Sequence, residues 1–160
     1  MKELTEQEAL CKAAAYCSSS EHCTAEVIAK LTAWNISAEA QERILERLTK
    51  ERYIDETRYA RFFVNDKFRF NKWGRHRIAQ ELKMKHIPTS LIEEQLQTID
   101  EEEYLDILRS LLATKAKSVK GKNEYERNGK LIRFAIGRGY EMECIRRCLP
   151  EADDEAFFMD

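Results

Sequence analysis

Turn-forming residues are scarce in this chain of 160 residues, which holds five glycines and two prolines where average usage of about 7% and 5% would supply about nineteen. That excludes collagen and leaves little material for the tight turns of an all-β sandwich. Long apolar runs are missing too. No window approaches the roughly 18 to 20 apolar residues of a membrane span, and the start, Met1-Lys2-Glu3-Leu4-Thr5-Glu6, lacks the basic-then-apolar layout of a signal peptide. A cytoplasmic location is expected, with Cys11, Cys17, Cys23, Cys144 and Cys148 as reduced thiols rather than a disulfide framework. What the chain does hold is 43% hydrophobic and 35% charged residues, the mixture of a folded helical protein rather than a disordered one.

Apolar residues recur near the helical period almost throughout. A first helix runs through Leu4, Ala9, Leu10, Ala13 and Cys17 until Ser18-Ser19-Ser20 breaks it, and a second starts at Thr24 and stops at Asn35, a residue that tolerates the left-handed conformation. Ser37 caps the third. Asp55 caps a longer helix through Tyr59, Phe62, Phe63 and Phe68, broken around Asn71 and Gly74; Ile78, Leu82, Met84 and Ile87 follow, then Pro88 opens a helix with Leu91, Ile92 and Leu96. A last set carries Tyr104 to Leu112, Leu131 to Ile136, and Met142 to Leu149.

These sets superimpose. A shift of 51 residues places Val27, Leu31, Ile36, Ala40, Leu45 and Leu48 on Ile78, Leu82, Ile87, Leu91, Leu96 and Ile99, and a further 53 reaches Leu131, Ala135, Tyr140, Cys144 and Leu149. The expectation is an all-α protein of three tandem three-helix repeats in an elongated, curved array, with segments 1–54, 55–99 and 100–149 followed by an acidic tail at 150–160.

The net charge of −2 conceals segregation. Between Arg58 and Lys85 nine basic residues face two acidic ones, and the same nine against two recur between Arg109 and Arg138, a surplus of seven in each stretch. Acid concentrates at Asp100 to Asp106 and after Glu151. Two basic segments separated by acid focus an anionic partner on particular faces. The candidates in the first stretch are Arg58, Arg61, Arg69, Lys72, Arg75 and Arg77, which interleave with aromatics of helical spacing; all but Arg58 have too few local acids to be simple salt-bridge partners, and Arg58 is the one open to a structural role. Those in the second are Lys115, Lys117, Lys120, Lys122, Arg127, Lys130 and Arg133. DNA phosphate or an acidic protein groove would satisfy either stretch.

Enzyme signatures are not found. Gly121-Lys122 and Gly129-Lys130 lack the glycine of a phosphate-binding loop, Gly137-Arg138-Gly139 lacks the rest of a dinucleotide fingerprint, and His22, His76 and His86 are scattered. No paired cysteine knuckles mark a zinc site, and Cys144 occupies the repeat position of Ala40 and Leu91, that of a small core residue. No catalytic residue, metal or cofactor is expected.

Two motifs carry a resemblance. Tyr53-Ile54-Asp55-Glu56-Thr57-Arg58-Tyr59-Ala60-Arg61-Phe62-Phe63-Val64 is similar to the run that marks the RecX regulatory proteins, and Trp73-Gly74-Arg75-His76-Arg77-Ile78-Ala79-Gln80-Glu81-Leu82, ending in Ile87, resembles that family's second motif in order and spacing. The likeness extends over about residues 8 to 149. It implies a monomeric helical-repeat protein that binds the RecA recombinase filament, with DNA met mainly as part of it, and that inhibits the filament's ATPase, recombinase and coprotease activities in DNA repair and the SOS response. The basic residues of the second and third repeats are the implied contacts. A stand-alone helix-turn-helix-like DNA-binding module is the alternative. Where the family shows a Leu-Ser-x-Arg run, this chain has Cys17-Ser18-Ser19-Ser20, so the first repeat lacks that charge.

Overall fold

A computed structural model describes residues 3–149; the acidic tail expected at 150–160 lies outside the described residues. Nine helices and no strands occur among them: α1 (Glu6–Ser19), α2 (Thr24–Ala33), α3 (Ala38–Lys50), α4 (Glu56–Arg69), α5 (Arg75–Met84), α6 (Thr89–Leu96), α7 (Glu101–Ala116), α8 (Glu124–Gly137) and α9 (Met142–Cys148). Most starts follow from a side-chain oxygen that accepts an orphan backbone N–H. Thr5 and Glu8 form a reciprocal capping box, Ser37 accepts the Ala40 N–H, Asp55 that of Arg58, Asp100 that of Glu103 and Asn123 that of Glu126.

The stops explain the repeat. Residues with positive φ stand at Asn35, His86 and Gly139, the positions that the shifts of 51 and 53 superimpose. In each case the following N–H reaches back five residues, from Ile36 to the Leu31 carbonyl, Ile87 to Leu82 and Tyr140 to Ala135, all at 3.1 Å. The left-handed residue itself bonds three residues back, Asn35 to Thr32, His86 to Lys83 and Gly139 to Ile136. This is the Schellman helix stop, built three times from three different residues. The apolar residue after each stop, Ile36, Ile87 or Tyr140, turns inward, and the last two are buried.

The described residues fold into two compact units, 3–62 with 82–91, and 63–81 with 92–149. In the first, α1, α2 and α3 pack mutually around Ala9, Ala13, Cys17, Val27, Leu31, Ile44, Leu48 and Ile54. Glu26 ties this core to the end of α5: its carboxylate accepts the Cys23 N–H at 3.0 Å and lies 3.3 Å from Lys85 Nζ. Arg58 donates to Glu21 at 2.5 Å and to the Tyr53 carbonyl.

In the second unit α7, α8 and α9 pack mutually, and a polar network runs through the core. Tyr104, fully buried, lies between Phe68 and Tyr140, with ring centroids 5.9 and 5.2 Å away. Its hydroxyl accepts the Arg75 N–H at 3.0 Å and donates to Glu141. Arg75 lies over the Tyr104 ring at 3.9 Å and pairs with Glu141 at 2.8 Å and Glu101 at 2.7 Å. Burial opposes the charge of both partners, yet the hydrogen bonds win: the Arg75 guanidinium is held above its ordinary range, and the Glu141 carboxyl below its own by Tyr104 and Arg75. Burial and Glu141 push the Tyr104 phenol up.

Beside this network two turns touch backbone to backbone. The Gly74 N–H donates to the Arg138 carbonyl at 2.8 Å and the His76 N–H to that of Gly139 at 3.0 Å. A Cβ on Gly74 would stand 2.3 Å from the Gly139 backbone, and one on Gly139 2.5 Å from Arg77 Cβ. Only glycine permits that approach.

Two outcomes are expected. Gly139→Ala should lose about 2 kcal/mol or more, because its φ of +101 and the overlap act together. His86→Gly should gain about 0.5 kcal/mol by relieving φ +62; thermal melts read both. For Glu141, depressed in the fold, the stabilisation is complete above the ordinary carboxylate range of about 4.3 and is lost as pH falls through its folded value. Glu141→Gln should therefore melt lower than wild type at pH 7, by about 2 kcal/mol, and lose less on acidification to pH 3.

Candidate functional site

The thirteen basic candidates divide by what their side chains touch. Arg58 and Arg75 are used by the fold: Arg75 keeps 19% of its side-chain exposure and serves two carboxylates, and Arg58 holds Glu21. Arg58 has the local Asp55 at 4.0 Å as well, but Glu21, Glu101 and Glu141 lie 26 to 66 residues away in sequence, which is why a search for local acids misses them. Arg69 pairs with Glu103 at 3.0 Å but stays half exposed. Arg77 lies 4.2 Å from the Trp73 ring. Lys72 is exposed with a left-handed φ of 58, and Arg61 is exposed on α4.

The second group is centred on the segment 117–123 between α7 and α8. Arg127 reaches back across it, donating to the carbonyls of Ala116 at 2.9 Å and Val119 at 3.4 Å and pairing with Glu124 at 2.9 Å. Carbonyls at a helix C-terminus welcome a cation. Lys130 donates to the Lys120 carbonyl at 2.5 Å, and Lys115 lies over Phe134 at 5.1 Å. Arg133 is half-buried on α8. With the segment fastened by these residues, Lys117, Lys120 and Lys122 project as exposed ammonium groups, and no carboxylate stands within bridging distance of them among the described residues. Three lysines within six positions make this segment a concentration of uncompensated positive charge.

Other chemistry has no geometry to support it among the described residues. No group of three or more His, Cys, Asp or Glu converges as metal ligands. All five cysteines are free thiols; Cys17, Cys23 and Cys144 are buried, and burial raises their pKa, that of Cys144 to about 11. No helix is long and apolar enough to cross a membrane. A cleft of about 450 Å³ is lined by Lys72, Asp100, Glu102, Glu103, Asp106, Ile107 and Ser110. Of its acids, Asp100 caps α7, Glu103 holds Arg69 and Asp106 holds Arg109, while Glu102 has no cation within bridging distance among the described residues.

Sequence reasoning does not single out Tyr104 or Glu141 as a polar pair. Tyr104 reads as one more apolar position in α7, and nothing in the local pattern links it to a glutamate 37 residues later.

Known proteins agree with this architecture. Two family models match, the second three-helix domain of RecX over residues 55–96 and the third three-helix domain of RecX over 101–149. The regulatory protein RecX of Prosthecochloris aestuarii is 31% identical over 153 residues, spanning 94% of this chain and 97% of that protein. That of Lactobacillus delbrueckii subsp. bulgaricus is 29% identical over 97% of this chain, which spans 60% of the longer relative. Among solved structures, the crystal structure of RecX from Lactobacillus salivarius superimposes with a TM-score of 0.82 at 18% identity, covering 96% of this chain and 97% of that one. A second RecX crystal structure gives 0.81 at 21% identity, over 91% of this chain and 75% of that one. With all-helical repeats, two matched RecX domains and a relative of nearly equal length, the chain belongs to the RecX family of regulatory proteins.

Proposed function

We propose that this chain binds the RecA recombinase filament and lowers its ATPase, recombinase and coprotease activities, so tuning DNA repair and the SOS response, without catalysis of its own. Its membership of a regulatory family supports the reading, and the physical observation that carries it is the uncompensated charge at Lys117, Lys120 and Lys122, beside Arg127 and Lys130 that fasten their segment. A long-range field of one sign steers association with an acidic surface or with phosphate. Arg61 and Lys72, exposed in the second helix trio, offer a further contact. Arg69, Arg77, Lys115 and Arg133 are further contacts of this proposal in the same two stretches, and Arg58 and Arg75 contribute by holding the fold. The 55–99 and 100–149 segments are thus the binding repeats of this proposal, acting in the cytoplasm.

Wild-type protein added to RecA on single-stranded DNA is expected to slow ATP hydrolysis. Replacing Lys117, Lys120 and Lys122 together by Glu should raise the concentration needed for half-inhibition about tenfold or more, and should flatten its salt dependence. The melting temperature should move little, since exposed surface charges seldom decide stability. Unchanged hydrolysis with wild type, or unchanged inhibition by the triple variant, would oppose the proposal or its site respectively.

A further inference from the structure

We propose that the end of α4 and the turn after it form an anchoring platform for a polypeptide segment of a partner, with Phe70 as its apolar post; resting on the RecA reading above, it meets the protein of the filament rather than its DNA.

Phe70 is 80% exposed, more than any other large hydrophobic residue described. Phe63 and Lys67 stand at i and i+4 on one face of α4, and Phe70 follows one residue past its end. Phe63 is buried and meets the Trp73 ring edge-on with centroids 6.3 Å apart. Lys67 Nζ lies 5.5 Å from the Phe63 ring and 5.2 Å from that of Trp73, and the Arg77 guanidinium lies 4.2 Å from Trp73. An exposed phenyl ring thus stands three residues before a cation-flanked indole. The support beneath it is fixed. Arg138 donates to the Asn71 carbonyl, the Tyr140 hydroxyl donates to that of Lys72 at 2.9 Å, and Gly74 is bonded to the Arg138 carbonyl. An aromatic held in advance on rigid backbone loses little entropy when a partner covers it, and such anchors dominate protein interfaces.

The charge around the ring selects the class of partner. Lys72, two residues on from Phe70, borders the cleft of about 450 Å³ whose wall carries Asp100, Glu102, Glu103 and Asp106. Arg69 pairs with Glu103 of that same wall, and Lys67 has Asp66 at 3.7 Å. A nucleic-acid strand is negative at every step and would run along that acidic wall. A polypeptide can alternate: an apolar side chain over Phe70, a carboxylate toward Arg77, and a lysine or arginine into the cleft, where Glu102 has no cation within bridging distance among the described residues.

The test compares full-length wild type, Phe70→Ala and Glu102→Gln for binding to RecA filaments assembled on single-stranded DNA, and to the same oligonucleotide bare. Phe70→Ala is expected to weaken filament binding about tenfold with an unchanged melting temperature, and to leave binding to the bare oligonucleotide within twofold. Glu102→Gln should weaken filament binding several-fold, although it removes a negative charge. Stronger filament binding by Glu102→Gln, or bare-DNA binding lost in Phe70→Ala, would make the occupant a nucleic acid and overturn the partner class. Filament binding by Phe70→Ala equal to wild type would overturn the platform alone. No filament binding by wild type would bring down the RecA reading, and this inference with it.

Discussion

The second unit depends on one buried ion pair closed by a phenol. Arg75 and Glu141 come from segments 66 residues apart, and both are largely removed from water. Such a pair holds only where its remaining hydrogen-bonding capacity is met. Here it is met: Glu101 takes the second side of the guanidinium, the Tyr104 hydroxyl satisfies Glu141, and that same hydroxyl accepts the Arg75 backbone N–H. The Gly74 and Gly139 backbones then approach within hydrogen-bonding distance. Everything from Asn71 to Arg77 inherits its position from this closure, including the Lys72 carbonyl held by Tyr140.

The same closure sorts the cations. A charged side chain has either to be paired inside the fold or to be left in water, and the two basic stretches contain both kinds. Arg58, Arg75 and Arg127 are paired or capped, each by partners that close a turn or a helix end. Lys117, Lys120 and Lys122 remain in water on the segment that Arg127 fastens, and Lys72 on the turn that Arg138 and Tyr140 hold. This division fits the chemistry of the two residue types, since guanidinium forks suit fixed multi-point bonds and ammonium groups suit a diffuse surface field. Counting basic residues along the chain finds the field but not the division.

Much of the helical architecture is legible in the residues. Ser37 and Asp55 sit where caps belong, Asn35 where a left-handed stop belongs, and the 51- and 53-residue shifts bring Asn35, His86 and Gly139 into register, three stops with one hydrogen-bond pattern. Histidine gave no cue at the second stop, because His is not a usual stop residue and only its repeat position marks it. The pairing of acids with arginines was illegible for a different reason. Glu21, Glu101, Glu103 and Glu141 look like solvated helix faces or caps, and only the folded path brings them to Arg58, Arg75 and Arg69. Phe70 falls one residue past the last turn of α4, where its ring is left 80% exposed.

The division of labour among the cations is tested most directly by Arg75→Met, measured in one sample for stability and for inhibition of RecA's DNA-dependent ATP hydrolysis at a temperature where the variant remains folded. The account predicts a melting temperature lower by several degrees, as an uncompensated Glu141 demands, with half-inhibition within twofold of wild type. An unchanged melting temperature together with lost inhibition would show Arg75 to be a contact rather than a support, and would contradict the account.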